Sequence, residues 1–96
     1  MRIRNFVHKG LKRLYYDDTV KGLPPGHIDK LRKMLLFLQD MDAVDELHSI
    51  SIWKAHILTG ERRGTWSLFV TRKWRLTFTI DRVDNEVCDV NFEDYH

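Results

Sequence analysis

The sequence has little cysteine, little proline and no long apolar run. Cys88 is its one cysteine, which excludes an internal disulfide and favours a reducing compartment. The longest apolar run is MLLFL at 34–38, whereas a membrane span needs about 18–20 residues, and MRIRNFVHKG lacks the apolar centre of a signal peptide. We therefore expect a cytoplasmic protein with no membrane segment, folded as a single domain over residues 1–96.

The sequence also lacks the local motifs of several enzyme classes. It contains no glycine-rich phosphate loop and no GxSxG nucleophile elbow. None of its five histidines stands at the spacing of a zinc site, and there is no CxxC pair. We expect neither a metal ion nor a cofactor.

Charge is abundant, and it is distributed in blocks although the net charge is only +2. Lys and Arg outnumber acids by nine to three in residues 1–33 and by six to one in residues 54–75. Acids outnumber them by four to none in residues 34–53 and by six to one in residues 76–96. Basic surface attracts polyanions such as nucleic acid, although a charged block is often only a solvated face.

The first half of the sequence predicts a short strand and two helices. MRIRNFV alternates apolar and basic residues, as a strand does, and HKGLKRLYYDD places Leu11, Leu14 and Tyr15 at helical spacing. The breaker KGLPPGH then precedes an amphipathic helix that we predict over residues 25–40.

The second half changes to a period of two and predicts four antiparallel strands. IWKAHIL is the first, TGERRG is a loop, TWSLFVT and WRLTFTI form a hairpin that turns at TRK, and EVCDVNF is the last. The predicted fold class is α+β, a small antiparallel β-sheet with two N-terminal helices packed on one face and the other face open.

The alternation assigns side chains to the two faces of this sheet. The core face should carry Trp74, Leu76, Phe78, Ile80, Cys88, Val90 and Phe92, and the open face Arg75, Thr77, Thr79, Asp89 and Asn91. Arg75 interrupts the most apolar stretch of the chain, and a cation there favours an anionic partner, either a carboxylate or a phosphate.

Five residues have the side-chain types that RNA cleavage requires: His56, Arg75, Asp94, Tyr95 and His96. RNA carries its own nucleophile, the 2′-OH, so an enzyme supplies a base, an acid for the leaving 5′-oxygen and a cation for the phosphorane. Histidine suits either proton role and arginine suits the third. Spacing permits this chemistry without selecting it.

The order of these residues resembles the HigB group of the RelE/ParE toxin superfamily. The resemblance is carried by WKAHILTGERRGTWSLFVTRKWRLTFTI and DVNFEDYH, with the motifs HxLxG, WR.TF and DYH, and it extends to FVHKGLKRLYY and GHIDKLRKMLLFLQ. It implies a toxin that cleaves mRNA in the ribosomal A site without a cofactor. It also implies a HigA-like helix-turn-helix antitoxin, through which the toxin reaches operator DNA only indirectly.

Roles follow from the resemblance by position. His56 would transfer a proton or position phosphate, and Arg75 would stabilise the charge of the scissile phosphate. Asp94 and His96 would be acid–base candidates, and Tyr95 would stack on a nucleobase or shape the site. RNA contacts are implied for Arg62, Arg63, Lys73, Lys54, Lys9, Lys12 and Arg13.

The chain departs from the family pattern at Thr59, where lysine is common, and Arg62 or Lys54 are the candidate substitutes. Two alternatives stay open. One is a non-nucleolytic ParE-like toxin that targets DNA gyrase, which the DYH ending argues against. The other is a catalytically inactive relative that acts as a binding or co-repressor module, which Thr59 favours.

Overall fold

The elements follow in the order β–α–α–β–β–β–β in a computed structural model that describes residues 1–95. The strands are β1 (Arg2–Ile3), β2 (His56–Ile57), β3 (Trp66–Phe69), β4 (Trp74–Asp81) and β5 (Glu86–Asp94), and the helices are α1 (Lys9–Asp17) and α2 (Ile28–Asp40). Short 3₁₀ helices lie at Pro25–His27, Val44–Ser49, Ser51–Trp53 and Gly60–Arg62. Within residues 1–95, none of the helices has the length and apolar character that crossing a membrane requires.

The strands form one five-stranded sheet in the order β1-β5-β4-β3-β2. Strands β2 to β5 pair antiparallel with their neighbours, which confirms the predicted hairpin, and β1 adds parallel to β5 at one edge. A parallel neighbour is possible there because a long segment of chain, rather than a tight turn, connects β1 to β5. The α+β prediction is confirmed.

Both helices bury an apolar stripe in the core. The buried residues are Leu11 and Leu14 of α1 and Leu31, Met34, Leu35 and Leu38 of α2. They join one cluster with Leu68, Leu76, Phe78, Val87, Val90 and Phe92 of the strands. The helix predicted over residues 25–40 is confirmed, and its first turn, Pro25–His27, has 3₁₀ geometry.

A β-bulge in β5 shifts the side-chain alternation by one residue. Thr77 pairs with Asn91, whereas Thr79 pairs with Cys88, so β5 has one more residue than β4 between the two pairs. Asp89 lies in this segment with a φ of 55°, in the left-handed region. The extra residue reverses which face each preceding β5 side chain occupies.

The prediction that Cys88 shares the core face with Val90 and Phe92 is therefore wrong. Cys88 pairs with Thr79 on the open face, because directly opposed residues share a face, and it lies outside the main core cluster. Val87 takes its place and is fully buried, as is Val90. Val90 and Phe92 lie in the core cluster as predicted, and the exposed Asp89 and the half-buried Asn91 lie on the open face as predicted.

The strand predicted over IWKAHIL is much shorter in the structure and covers only His56–Ile57. Ser51–Trp53 forms a 3₁₀ turn, and Lys54 follows it with a left-handed φ of 47°. The turn buries Trp53 against Phe37 of α2, with ring centroids 5.3 Å apart. Burial of this large ring outweighs the pairing of a few more edge residues.

Candidate active site on the open sheet face

The open face of the sheet carries a cavity of about 370 Å³. Its lining residues are His56, Leu58, Arg62, Ser67, Arg75, Thr77, Glu93, Asp94 and Tyr95. The register explains the grouping, because His56 pairs with Ser67, and Ser67 pairs with Thr77. Arg75 pairs with Glu93 in the adjacent row. Neighbouring strands are about 4.8 Å apart, so side chains that are distant in sequence lie close together on this face.

Arg75 is held firmly on this face. Its guanidinium carbon lies 4.7 Å from the ring centre of Phe69 and 4.1 Å from that of Tyr95. Its Nη1 donates to the carbonyl oxygens of Thr71 at 2.5 Å and Trp74 at 3.0 Å. The two rings and the hairpin carbonyls restrict the rotation of the guanidinium. The predicted cation is thus preorganised beside the cavity.

His56 stands exposed on the edge strand β2, at the rim of the cavity. Its Nδ1 lies 2.9 Å from the carbonyl oxygen of Lys54, and because a carbonyl can only accept, Nδ1 carries the hydrogen. In the neutral ring, Nε2 is then the unprotonated nitrogen. The left-handed turn at Lys54 directs its carbonyl towards the ring. His56 is therefore suited to accept a proton through Nε2.

The end of β5 contributes Tyr95 and Asp94 in different ways. The exposed ring of Tyr95 covers Arg75, and its backbone N–H donates to the Lys73 carbonyl at 2.5 Å. Asp94 borders the cavity, but its register partner is Trp74 on the core face, and its carboxylate lies 3.9 Å from Lys73 Nζ. The predicted His96 lies outside the described residues.

The residue that the sequence analysis did not assign is Glu93. It accepts a bidentate pair of hydrogen bonds from Arg62, at 2.9 and 2.6 Å, and a further bond from the Thr77 hydroxyl. The Arg62 guanidinium holds the pKa of Glu93 below its ordinary range, with burial opposing and Thr77 assisting. Glu93 in turn raises the pKa of Arg62. Extending the alternation from Asn91 to Glu93 was the available signal.

The other predicted RNA-binding residues near the cavity have separate environments. The ammonium of Lys54 lies 4.9 Å from the ring centre of Phe69, which also contacts Arg75. That of Lys73 lies 5.3 Å from the ring centre of Trp74. Arg63 is exposed at the end of the Gly60–Arg62 turn.

Three predicted RNA-binding residues, Lys9, Lys12 and Arg13, are not brought to this cavity. They lie on α1, where they line a different surface depression with Tyr16 and Asp17. The predicted RNA-binding residues therefore lie on two separate surfaces. Among residues 1–95, no three His, Cys, Asp or Glu side chains converge in a way that would hold a metal ion.

The chain has clear relatives among known proteins. The family described as "RelE-like toxin of type II toxin-antitoxin system HigB" matches residues 4–96. The chain is 35% identical over 94 residues to Endoribonuclease HigB from Proteus vulgaris, which covers 98% of this chain and 99% of that protein.

Two solved structures share its fold. A YafQ mutant from E. coli has a TM-score of 0.58 at 14% identity, covering 98% of this chain and 93% of that one. The toxin–antitoxin complex RelBE2 from Mycobacterium tuberculosis contains a chain with a TM-score of 0.51 at 21% identity, covering 98% and 96%. At these identities the likeness supports the fold.

Proposed function

The chain belongs to the HigB-like family of RelE-like toxins of type II toxin–antitoxin systems, and from this membership we propose that it is a metal-independent endoribonuclease that cleaves mRNA in the ribosomal A site. The name of the Proteus vulgaris relative, Endoribonuclease HigB, supports the reaction class. The observation that carries the proposal is the cavity where His56, Arg75 and Tyr95 meet. These side chains offer a proton acceptor, a fixed cation and an aromatic surface.

In the proposed reaction, the ribose 2′-oxygen attacks the adjacent phosphorus while the bond from phosphorus to the 5′-oxygen breaks. The products are a 2′,3′-cyclic phosphate and a 5′-hydroxyl. His56 accepts the 2′-OH proton through Nε2, since Nδ1 is held by the Lys54 carbonyl. Arg75 donates to the phosphorane oxygens. Asp94 and His96 are the candidates for the acid that protonates the 5′-oxygen.

The RNA strand would cross the open face with its backbone near Arg62, Lys54 and Lys73 and a base on the exposed ring of Tyr95. Base–aromatic stacking contributes about 1–3 kcal/mol per base in single-strand binding. Arg63, together with Lys9, Lys12 and Arg13 on their separate surface, would contact the ribosomal RNA backbone.

The threonine at position 59 does not leave this region of the open face without cations. Thr59 is exposed at the start of the Gly60–Arg62 turn. Arg62 lies in the same turn and lines the cavity, while Lys54 lies beside the ring that contacts Arg75. We assign to Arg62 and Lys54 the phosphate contacts that a lysine at position 59 would make.

A toxin of a type II system has a partner antitoxin. We propose that this partner is a HigA-like helix-turn-helix protein, that the toxin reaches operator DNA only through it, and that the toxin acts in the cytoplasm on ribosomes engaged with mRNA. The basic side chains on α1 and those beside the cavity, Lys54 and Lys73, support this proposal, because basic surface attracts ribosomal RNA.

A translating extract programmed with a reporter mRNA tests the proposed reaction. Primer extension should reveal new 3′ ends within the translated region when the protein is present, and none when translation is blocked before addition. His56→Ala and Arg75→Ala should abolish these ends while far-UV circular dichroism stays unchanged. Cleavage by both variants at the wild-type rate would disprove the site.

The same preparation separates the two alternatives. A supercoiling assay with purified DNA gyrase should show no inhibition by the wild-type protein. Inhibition of gyrase without mRNA cleavage would favour a ParE-like toxin instead. Absence of both effects would favour an inactive binding module.

A further inference from the structure

Arg62 crosses the open face of the sheet to reach Glu93. Arg62 belongs to the turn that follows β2 at one edge, whereas Glu93 lies on β5, beyond β3 and β4. Its Nη1 and Nη2 donate to the two carboxylate oxygens at 2.9 and 2.6 Å. Thr77 on β4 donates to the same carboxylate from below. We name Arg62, Glu93 and Thr77 the arginine bridge.

The arginine bridge divides the open face into two cavities. One is the 370 Å³ cavity that contains His56, Arg75 and Tyr95. The other has a volume of about 240 Å³ and is lined by neutral groups such as Thr65, Thr79 and Asn91, together with Asp89. All three bridge residues line both cavities. A strand of RNA with nucleotides in both would place the linking phosphate beside Arg62.

The end-on geometry of this ion pair leaves part of the guanidinium available. The carboxylate uses one hydrogen of Nη1 and one of Nη2, so the Nε hydrogen and the outer hydrogens stay free for an anion. Within residues 1–95, the hydrogen bonds of this guanidinium go to Glu93. Glu93 has a side chain only 25% exposed and is held by Thr77, so the arginine is anchored to a rigid strand.

We propose that Glu93 is a positioning residue that holds Arg62 between the two cavities, so that Arg62 contacts the RNA backbone phosphate next to the scissile one. An unanchored arginine in an exposed turn would lose rotamer freedom on binding RNA, and Glu93 removes that cost in advance. This inference rests on the proposed function, because it takes RNA as the substrate.

A double-mutant cycle in RNA binding tests the coupling. The probe is a fluorescein-labelled single-stranded RNA with 2′-O-methyl groups, which cannot be cleaved through the 2′-OH. Glu93→Gln should weaken its binding about fivefold in the wild-type background and less than about twofold in the Arg62→Ala background. In the Arg62→Lys background, most of the effect of Glu93→Gln on RNA binding should disappear. Lysine keeps the charge, but an ammonium cannot form the bidentate pair.

Single-turnover cleavage on mRNA-programmed ribosomes gives the second readout. Glu93→Gln should raise the half-saturating toxin concentration more than it lowers the maximal rate, since Arg62 binds the backbone rather than the reacting atoms. Glu86→Gln is the matched control, because Glu86 is also a half-buried β5 glutamate paired with an arginine, Arg4. Its binding and cleavage should equal those of the wild type.

Each contrary result has a definite meaning. Equal losses for Glu93→Gln with and without Arg62, unchanged binding, or no RNA binding by the wild type would overturn the inference. Tighter binding would also overturn it, because the carboxylate would then compete with phosphate for Arg62. Coupling between the two residues in a protein that cleaves nothing on ribosomes would reject the proposed function and would keep only the role of Glu93 in positioning Arg62 for RNA binding. Cleavage on ribosomes without coupling between Arg62 and Glu93 would support the proposed function and reject the inference.

Discussion

The two ends of β5 each carry a glutamate paired with an arginine that is distant in sequence, but their surroundings differ. At the first end, Arg4 binds Glu86 at 2.7 Å and Asp81 at 2.5 Å, with Asp84 at 3.3 Å. Three carboxylates thus occupy one guanidinium. At the other end, the carboxylate of Glu93 binds the guanidinium of Arg62. Arg75 lies directly opposite Glu93 on the neighbouring strand β4.

The balance of charge decides what each pair can do. At the first end, three acids outnumber Arg4 and the more distant Arg2, which lies 3.6 Å from Glu86, and this excess of acids disfavours a phosphate. The cluster ties the N-terminal segment to the β4–β5 turn. At the other end, Arg62 and Arg75 line the cavity with Glu93 and Asp94, and Lys54 lies nearby over the ring of Phe69, so acids do not outnumber the cations there. The same ion-pair chemistry therefore ties two segments of the chain together at one end of β5, and at the other it holds the arginine for which we propose a role in substrate binding.

Arg75→Ala should produce the largest contrast between the two ends. Loss of a preorganised cation aimed at developing charge typically lowers the rate by about 10²–10³-fold. Arg4→Ala, the corresponding change at the first end, should leave the cleavage rate unchanged. Single-turnover cleavage of reporter mRNA on ribosomes measures both. A comparable loss of rate in the two variants would remove the functional distinction between the ends.

His56→Ala should have the second-largest effect. Its maximal cleavage rate should fall by about 10²-fold or more, because a positioned proton acceptor is removed. His27→Ala is a suitable control, since His27 lies in the 3₁₀ turn before α2. His56→Ala should keep the wild-type thermal midpoint, because His56 is exposed on an edge strand. Full activity of His56→Ala would reassign the base.

Arg4→Ala should lower stability without lowering activity, and the effect should depend on pH. Arg4 is the main cause that holds the pKa of Asp81 below its ordinary value of 3.8. A depressed carboxyl pKa stabilises the fold above pH 3.8, and this contribution is lost as the pH falls through the lower, folded value. Thermal midpoints of the variant and the wild type should therefore differ at neutral pH and converge in strong acid. A constant difference would contradict the ion-pair explanation.

The smallest effect should be the pH-dependent loss of stability caused by His8, which packs against the core side of β5. Its Nδ1 accepts from the Leu11 N–H at 3.2 Å and caps α1, and its ring meets Phe92 of β5 edge to face. Burial, assisted by the charge of Arg13, lowers its pKa below 6.5. A lowered histidine pKa means that stability falls as the pH drops from 6.5 towards the folded value, because the unfolded chain binds the proton first.

Urea unfolding at pH 7.5 and pH 5 measures this loss of unfolding free energy, which includes the loss of the helix cap that the neutral ring provides. His8→Asn keeps a capping oxygen but does not titrate, so its loss over the same interval should be smaller. An identical loss in both proteins would show that protonation of His8 has no part in it.

Much of the candidate site can be predicted from the sequence alone. Period-two alternation placed Arg75 and Thr77 on the open face, and the same rule extended from Asn91 reaches Glu93. The alternation failed for Cys88, because the bulge depends on how β5 meets both β4 and the N-terminal segment. Asn5 of that segment donates from Nδ2 to the Asp89 carboxylate at 2.7 Å, and its Oδ1 accepts from the backbone N–H of Asp89 at 2.9 Å.

By itself, the sequence determined the order of helices and strands, the face of each β4 residue and the side chains available for chemistry, because hydrophobic periods are local properties of the chain. Only the tertiary structure decided the phase of β5, the short β2 and the pairing of Arg62 with Glu93, 31 residues away. It also placed Lys9, Lys12 and Arg13 on a separate surface. These outcomes depend on which partners packing brings within reach, and no local pattern encodes that choice.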